Sequence, residues 1–575
     1  MSKEPITIQQ TQHAFLVVWG WYAQETGLIK KIQAVPLKQK AYEHTPQSKV
    51  MEFLVGTLAG IKHLQEISTS AHPLDCDTAV AGTWEQPGWA DYSGVSRTLS
   101  SLSWENVQAI VQVLEEFSQP YLQGELKLIQ AQGKRLRYDG DLTGLPVSDT
   151  STTYQNAAYG HMDDEIRLGY QAGVVSLVSP TYGRLWLSVA HHSGDTVSCN
   201  QAEALVLEAE RRTGLRPKRR VALLSERISR DEVHLGQVQT RLEAQQKVVQ
   251  HAQERLEETL RQVQEQKTCL DEMTEYYLCR QRIERPTSQL ADARQRYQML
   301  VKRSKRQEDA QREAQQRLTK TDRQLQEEQA AIVNLKEHLQ RFEKENVLNP
   351  EPVEAEFRLD AGFGTYDNLA LLIEMGYEVY TKSYGHSVTA HLKQQVNEQT
   401  IFTRVGANAE MVAWPKHSLK HFPYPLDVAL ERFYTGATLK YSTLFHYGTD
   451  QVTQDLPAWF GHYNGRQIIE AGIKEGKQVF YLHKIKVRSE PAIFLQECFV
   501  LFAANFIRWA SHWLAEQAQP VKNALDVRKL GVKRQVQVAA HVSAQVIQNS
   551  ESRLLKFSKQ SVFAGKVLQL PCGHL

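Results

Sequence analysis

The sequence predicts an α/β protein: a mixed core interrupted by a long antiparallel coiled-coil hairpin and by a smaller β-rich insertion, preceded by a helical domain. Three observations carry this reading. Short apolar strands run twice into an aspartate and then a glycine turn, in 136–146 and in 355–364. Apolar heptads fill most of the interval between them. Further on, Arg466, Glu470 and Lys477 follow Tyr463 at offsets of 3, 7 and 14 residues, which on a helix places all four on one face.

A chain of 575 residues is too long for a single core. Hydrophobic residues make up 42% and charged residues 23%, the balance of an ordinary soluble globular protein. Net charge is only +2, so a nucleic-acid surface has to be local. Six cysteines show neither paired metal spacing nor the density of a disulfide scaffold, which predicts free thiols in a reducing cytoplasm. No apolar signal core follows the first residues. The stretch Ile493 to Trp513 is apolar but contains Gln496, Glu497, Asn505 and Arg508, which predicts a buried helix and not a membrane span.

In chain order, residues 1–130 read as helical, with an apolar-periodic helix over 51–64 and another from Trp104 to about Phe117. A short helix at 92–102 carrying Arg97 and Thr98 is similar to the recognition helix of a helix-turn-helix unit, and a plain helical packing module fits as well. Residues 131–217 begin the core, with strands over 136–141, 167–178 and 184–190 and a helix over 201–212. The interval 218–349 is the coiled coil. Leu235, Leu242, Val249, Leu256, Val263, Leu270 and Tyr277 recur every seven residues, as do Leu318, Leu325, Ile332 and Leu339. A break at Pro286 predicts a hairpin with arms of roughly 90 Å, at about 1.5 Å per residue.

After the hairpin, the core resumes over 350–385, with a strand entering Asp360, a helix over 368–376 and a strand over 377–382. Strands over 400–404, 410–414 and 437–446 predict the β-rich insertion, 386–446. The third part of the core, 447–520, holds the helix with Glu470, and a C-terminal region, 521–575, follows.

The chemistry lies in three carboxylates. The residues leave Asp139 and Asp141 as alternatives for the first; Asp360 and Glu470 are the others. Two aspartates at strand ends and a glutamate on a helix can converge on a pair of divalent ions, which clamp the attacking and leaving oxygens of an in-line displacement at phosphorus. Tyr463, Arg466 and Lys477 beside them offer phosphate donors. For the helical pattern alone, a solvated face with an i,i+4 Arg–Glu pair is the simpler account; the other carboxylates tip the balance. A P-loop is excluded, because three residues and not four separate Gly472 from Gly476 and Gln478 follows Lys477. Gly362 and Gly364 lack the third glycine of a dinucleotide site. His191 and His192 have no partners at metal spacing.

With these motifs, the chain resembles the DDE insertion-sequence transposases, in the subgroup marked by a Tyr-Arg-Glu-Lys signature on a ribonuclease H-like catalytic fold. Matching positions run from about Gln47 to Trp513, interrupted by the hairpin. The family's first aspartate is followed two residues on by Thr or Ser, which favours Asp141, with Thr143 after it. The resemblance implies Asp141, Asp360 and Glu470 as metal ligands and catalytic residues for two Mg2+ ions, with Mn2+ as a substitute. It implies Tyr463, Arg466 and Lys477 on the phosphates of transposon ends, double-stranded DNA as partner, a homodimer on DNA, and a bacterial, nucleoid-associated location. Cut-and-paste through a hairpin intermediate is implied too; relatives stack a flipped base on an aromatic of the β-rich insertion, where Trp414 stands, although a packed core Trp is the simpler reading. On this assignment Asp139→Ala is expected to be milder than Asp141→Ala.

Two competing readings use the same features: a coiled-coil DNA-tethering or structural protein derived from a transposase, and a nuclease that does not transpose. Terminal inverted repeats flanking the gene discriminate between them. One charge feature stands apart. Between Arg280 and Arg306 nine basic residues face two acidic ones, an excess of +7 near the expected bend. Arg303, Lys305 and Arg306 are therefore expected to touch DNA, against the alternatives of an acidic partner surface or a merely solvated tip.

Overall fold

The computed structural model describes residues 7–39, 43–162, 165–279 and 288–572. They form two compact units, the hairpin Arg219–Pro350 and a unit built from the chain on either side of it.

The strands are β1 (Thr7–Thr11), β2 (Leu136–Pro146), β3 (Ala158–Met162), β4 (Glu165–Ser179), β5 (Gly183–Ser193), β6 (Ala355–Arg358), β7 (Glu378–Lys382), β8 (Thr403–Arg404), β9 (Ala409–His417), β10 (Leu426–Thr435), β11 (Thr438–Tyr447), β12 (Ala544–Gln548), β13 (Ser552–Phe557) and β14 (Val567–Pro571). In the larger unit, β5, β4, β2, β6 and β7 lie side by side. The first two pairings are antiparallel and the last two parallel. β3 pairs with the near end of β4. The β-rich segment is not a separate body: β11 pairs antiparallel with β7, and β10, β9 and β8 continue the sheet. This covers the backbone groups that β7 would otherwise leave open at an edge.

β10 escaped the sequence reading because its first six residues are buried on both faces and show no alternation. Its Asp427 and Glu431 are paired inside, with His446 and Lys382. β2 is also longer than expected, running through Asp141 to Pro146.

The terminal regions depart from the expected all-helical start. β1 pairs with β12, and β13 and β14 complete a four-stranded antiparallel sheet. The remaining N-terminal elements are helical and wrap the helix Glu490–Gln517. Its Phe499 meets Phe53, its Phe506 meets Tyr22, Trp84 and Phe117, and its Trp509 stacks on Tyr121 at 4.4 Å. Among the described residues it is the one helix long and apolar enough to cross a membrane, and 78% of that apolar window is buried inside the unit.

In the hairpin unit, Val221–Cys279 and Ser288–Val347 are helices of 59 and 60 residues. They run antiparallel, since Glu232 pairs with Lys336 and Arg241 with Gln324. Leu224, Ile228, Val238, Leu242 and Leu256 are buried on one arm, and Leu325, Ile332 and Phe342 on the other. The seam of the second arm already begins at Leu290, but Ser304 and Thr321 occupy it and hide the heptad from an apolar pattern. The expected break at Pro286 lies outside the described residues, as do Arg280, Arg282 and Arg285 of the basic cluster.

Candidate active site

Register places the first two carboxylates together. Asp139 of β2 stands opposite Arg358 of the parallel β6. Two residues further along the chain come Asp141, still on β2 and on the face of Asp139, and Asp360, just past the end of β6. The two levels behave differently. Asp139 is fully buried and accepts from Nε and Nη2 of Arg358, each at 2.7 Å. Asp141 instead receives Arg466 at 3.3 Å. Asp360 follows the end of β6, where its carbonyl accepts from the Thr381 hydroxyl at 2.9 Å. The loop after it lies so close to the end of β7 that a Cβ on Gly364 would collide with the Lys382 carbonyl.

The Tyr-Arg-Glu-Lys segment is not one helix. It breaks into Leu456–Asn464 and Gln467–Gln478, with Gly465 and Arg466 in a turn. Arg358 causes the break. Its Nη1 donates to the His462 carbonyl at 2.8 Å, taking an acceptor from the helical ladder. A Cβ on Gly465 would stand 2.6 Å from that same nitrogen. Glu470 falls in the first turn of the second helix, where the positive end of the helix dipole favours a carboxylate. The Arg466 guanidinium bridges Glu470 and Asp141.

The result is a cleft of about 350 Å³ lined by Asp360, Lys382, Tyr463, Arg466, Gln467 and Glu470, among others. Burial pushes the Asp141 carboxyl up to about 7; the charge of Asp360 adds to this and Arg466 opposes it. Burial also raises Asp360, against the pull of Arg466 and of the Gly362 and Phe363 amides. Asp360 Oδ1 is buried with no hydrogen-bond partner. These carboxylates are short of positive charge, so the donor set fits divalent ions. As a trio they do not close to within 4.8 Å of one another; among the described residues only Glu378, His446 and Asp450 do so. Arg466 lies between Asp141 and Glu470 as their counter-ion.

The phosphate donors expected from sequence are placed unevenly. Tyr463 is buried, and its hydroxyl faces the Leu359 carbonyl at 3.5 Å. Arg466 is held by the two carboxylates. Lys477 lies two turns beyond Glu470, half-buried, and does not line the cleft. Lys382 does line it, with its ammonium 5.6 Å from the Tyr463 ring and 2.9 Å from Glu431. Sequence reasoning missed Lys382 and Arg358, because only strand register brings them to the carboxylates. Arg97 is exposed on the helix Tyr92–Ser100, outside the cleft. Arg303, Lys305 and Arg306 are exposed on Ser288–Val347. Trp414 is half-buried on β9, not packed in a core. The six cysteines are free. No protein-family model matches the chain, and the search of curated proteins returns no match.

Proposed function

We propose that the chain is a DNA transposase that binds double-stranded transposon ends and catalyses strand cleavage and strand transfer. The observation that carries this reading is that Asp360, Glu470 and Arg466 line one cleft, where Arg466 pairs with both Glu470 and Asp141. Support also comes from the run β5-β4-β2-β6-β7, antiparallel on one side of β2 and parallel on the other, with the helix Ala202–Thr213 between β5 and β6. That arrangement suits a ribonuclease H-like core.

Asp141, Asp360 and Glu470 would hold two Mg2+ ions, or Mn2+ in their place. When bound, such ions supply positive charge to the attacking and leaving oxygens of an in-line displacement at phosphorus. Without these ions Arg466 is the counter-ion of Asp141 and Glu470, and it would turn to a phosphate once bound ions neutralise those carboxylates. Lys382 and Lys477 extend the phosphate contacts along the cleft and down the helix. Tyr463 walls the cleft and excludes water beside Asp360. Two copies would pair two ends, and the cut-and-paste course with a hairpin intermediate belongs to the same proposal.

The test uses purified full-length chain, Mg2+ or Mn2+, and a plasmid carrying the gene with its natural flanks. Breaks at the borders of the gene are expected. D360A and E470A should abolish them while a gel shift with the border DNA persists, because metal ligation and phosphate contacts are largely separate. An intact plasmid after incubation of the parent chain with either metal refutes the reading.

A further inference from the structure

A second group of donors lies at the opposite end of β7 from Asp360. Glu378 opens β7, His446 lies near the end of β11, and Asp450 follows in the connecting loop. One ligand atom from each of the three lies within 4.8 Å of the other two. His446 is completely buried. Its Nδ1 lies 2.9 Å from Asp427 Oδ2, which fixes the imidazole so that Nε2 faces Glu378 and Asp450. Nε2 is buried without a hydrogen bond of normal geometry, and against the opposing effect of burial the Asp427 and Glu378 carboxylates raise the pKa of the imidazole. A carboxylate behind a histidine whose other nitrogen is left bare is the arrangement that orients a metal-ligating imidazole and raises its basicity.

The two carboxylates are set for the same purpose. Glu378 spends Oε1 on the amide and hydroxyl of Thr449, at 2.9 Å each, and its Oε2 has the Arg135 guanidinium as ion-pair partner. Asp450 is oriented by the Tyr380 hydroxyl at 2.8 Å. A cation already occupies the gap: Arg135 Nη1 lies 2.9 Å from both Glu378 and Asp450. Its other nitrogens anchor it there, on Glu354 at 3.3 Å and Thr449 at 2.8 Å, so a bound ion has to displace it. Ligands about 2.1 Å from a shared ion stand at most about 4.2 Å apart, so small side-chain shifts and a turn of Arg135 complete the site.

We propose that Glu378, His446 and Asp450 bind one divalent transition-metal ion of the Zn2+ or Mn2+ kind, separate from the cleft, clipping the loop after β11 to the start of β7. One imidazole and two carboxylates suit such an ion better than Mg2+, which favours oxygen donors and water. The site is independent of the proposed DNA chemistry.

Calorimetric titration with Zn2+ tests it on full-length chain carrying D360N and E470Q, which removes ligands of the cleft. One ion per chain is expected at this site. D450N, at a side chain 42% exposed and thus tolerant of substitution, should weaken that binding by about tenfold or more. R135M should tighten it several-fold, because it removes the competing cation. Identical titrations of D450N and the background chain, or a loss of affinity in R135M, overturn the proposal and leave the cluster as an ion-pair network around a protonated His446.

Discussion

Asp139 and Asp141 share one face of β2 and serve opposite ends. Asp139 neutralises Arg358 inside the protein, and Arg358 in turn breaks the helix after His462. Asp139→Ala therefore leaves a buried guanidinium without its partner, and thermal unfolding should show a loss of about 3–5 kcal/mol. The milder effect expected from the sequence concerns strand cleavage, and this ion pair adds a separate cost in stability. Asp141 carries a different signature. Its carboxyl is raised to about 7, above the value near 4 of an unfolded chain. The folded state then holds the proton more tightly, so stability is kept below about pH 4 and falls as pH rises towards about 7, by a few kcal/mol at most. In metal-free protein, D141N should raise Tm at pH 8 and leave it unchanged near pH 4. A Tm difference independent of pH would contradict the crowding of carboxylates.

The broken helix and the long hairpin make predictions at the scale of elements. Gly465→Ala places a methyl 2.6 Å from Arg358 Nη1, so either the guanidinium or the turn has to shift. A cost of about 1–3 kcal/mol in denaturant unfolding is expected, together with loss of cleavage, since Arg466 and Glu470 follow directly. Unchanged activity would mean that the break does not position them. On the hairpin, Arg294, Arg296, Lys302, Arg303, Lys305 and Arg306 are exposed along one arm, with Asp292 the only acidic residue from 288 to 306. Reversing Arg303, Lys305 and Arg306 to Glu should weaken binding to long end-bearing DNA and flatten its salt dependence, while a short duplex over the cleavage site is bound as before. Equal affinity for the long duplex across a salt titration refutes a DNA-binding arm.

At the scale of the whole molecule, the two ends of the chain are tied together. β1 is held only through β12 in its sheet, and β12 through β13. Removal of the chain from Ala544 onward should therefore strip amide-exchange protection from Thr7–Thr11 and lower Tm, whatever happens to the cleft. Retained protection at Thr7–Thr11 would mean that β1 is stable without its partner. The helix Glu490–Gln517 plays the corresponding role for the N-terminal helices, whose aromatic residues converge on it from distant parts of the sequence.

Local pattern alone determined a good deal: the heptads of the hairpin, the strands that enter Asp141 and Asp360, the helix bearing Glu470 and the buried character of Ile493–Trp513. Each of these is written in residues close together in the chain, where period and turn chemistry report directly on structure. Tertiary structure alone decided which of two neighbouring aspartates is spent on Arg358, why the signature helix breaks at Gly465, and that Lys382 reaches the cleft. It also decided that β1 and β10 are strands, the one paired across more than 500 residues and the other buried on both faces. Those outcomes depend on parallel register and on partners hundreds of residues away, and no periodicity in a short window records them.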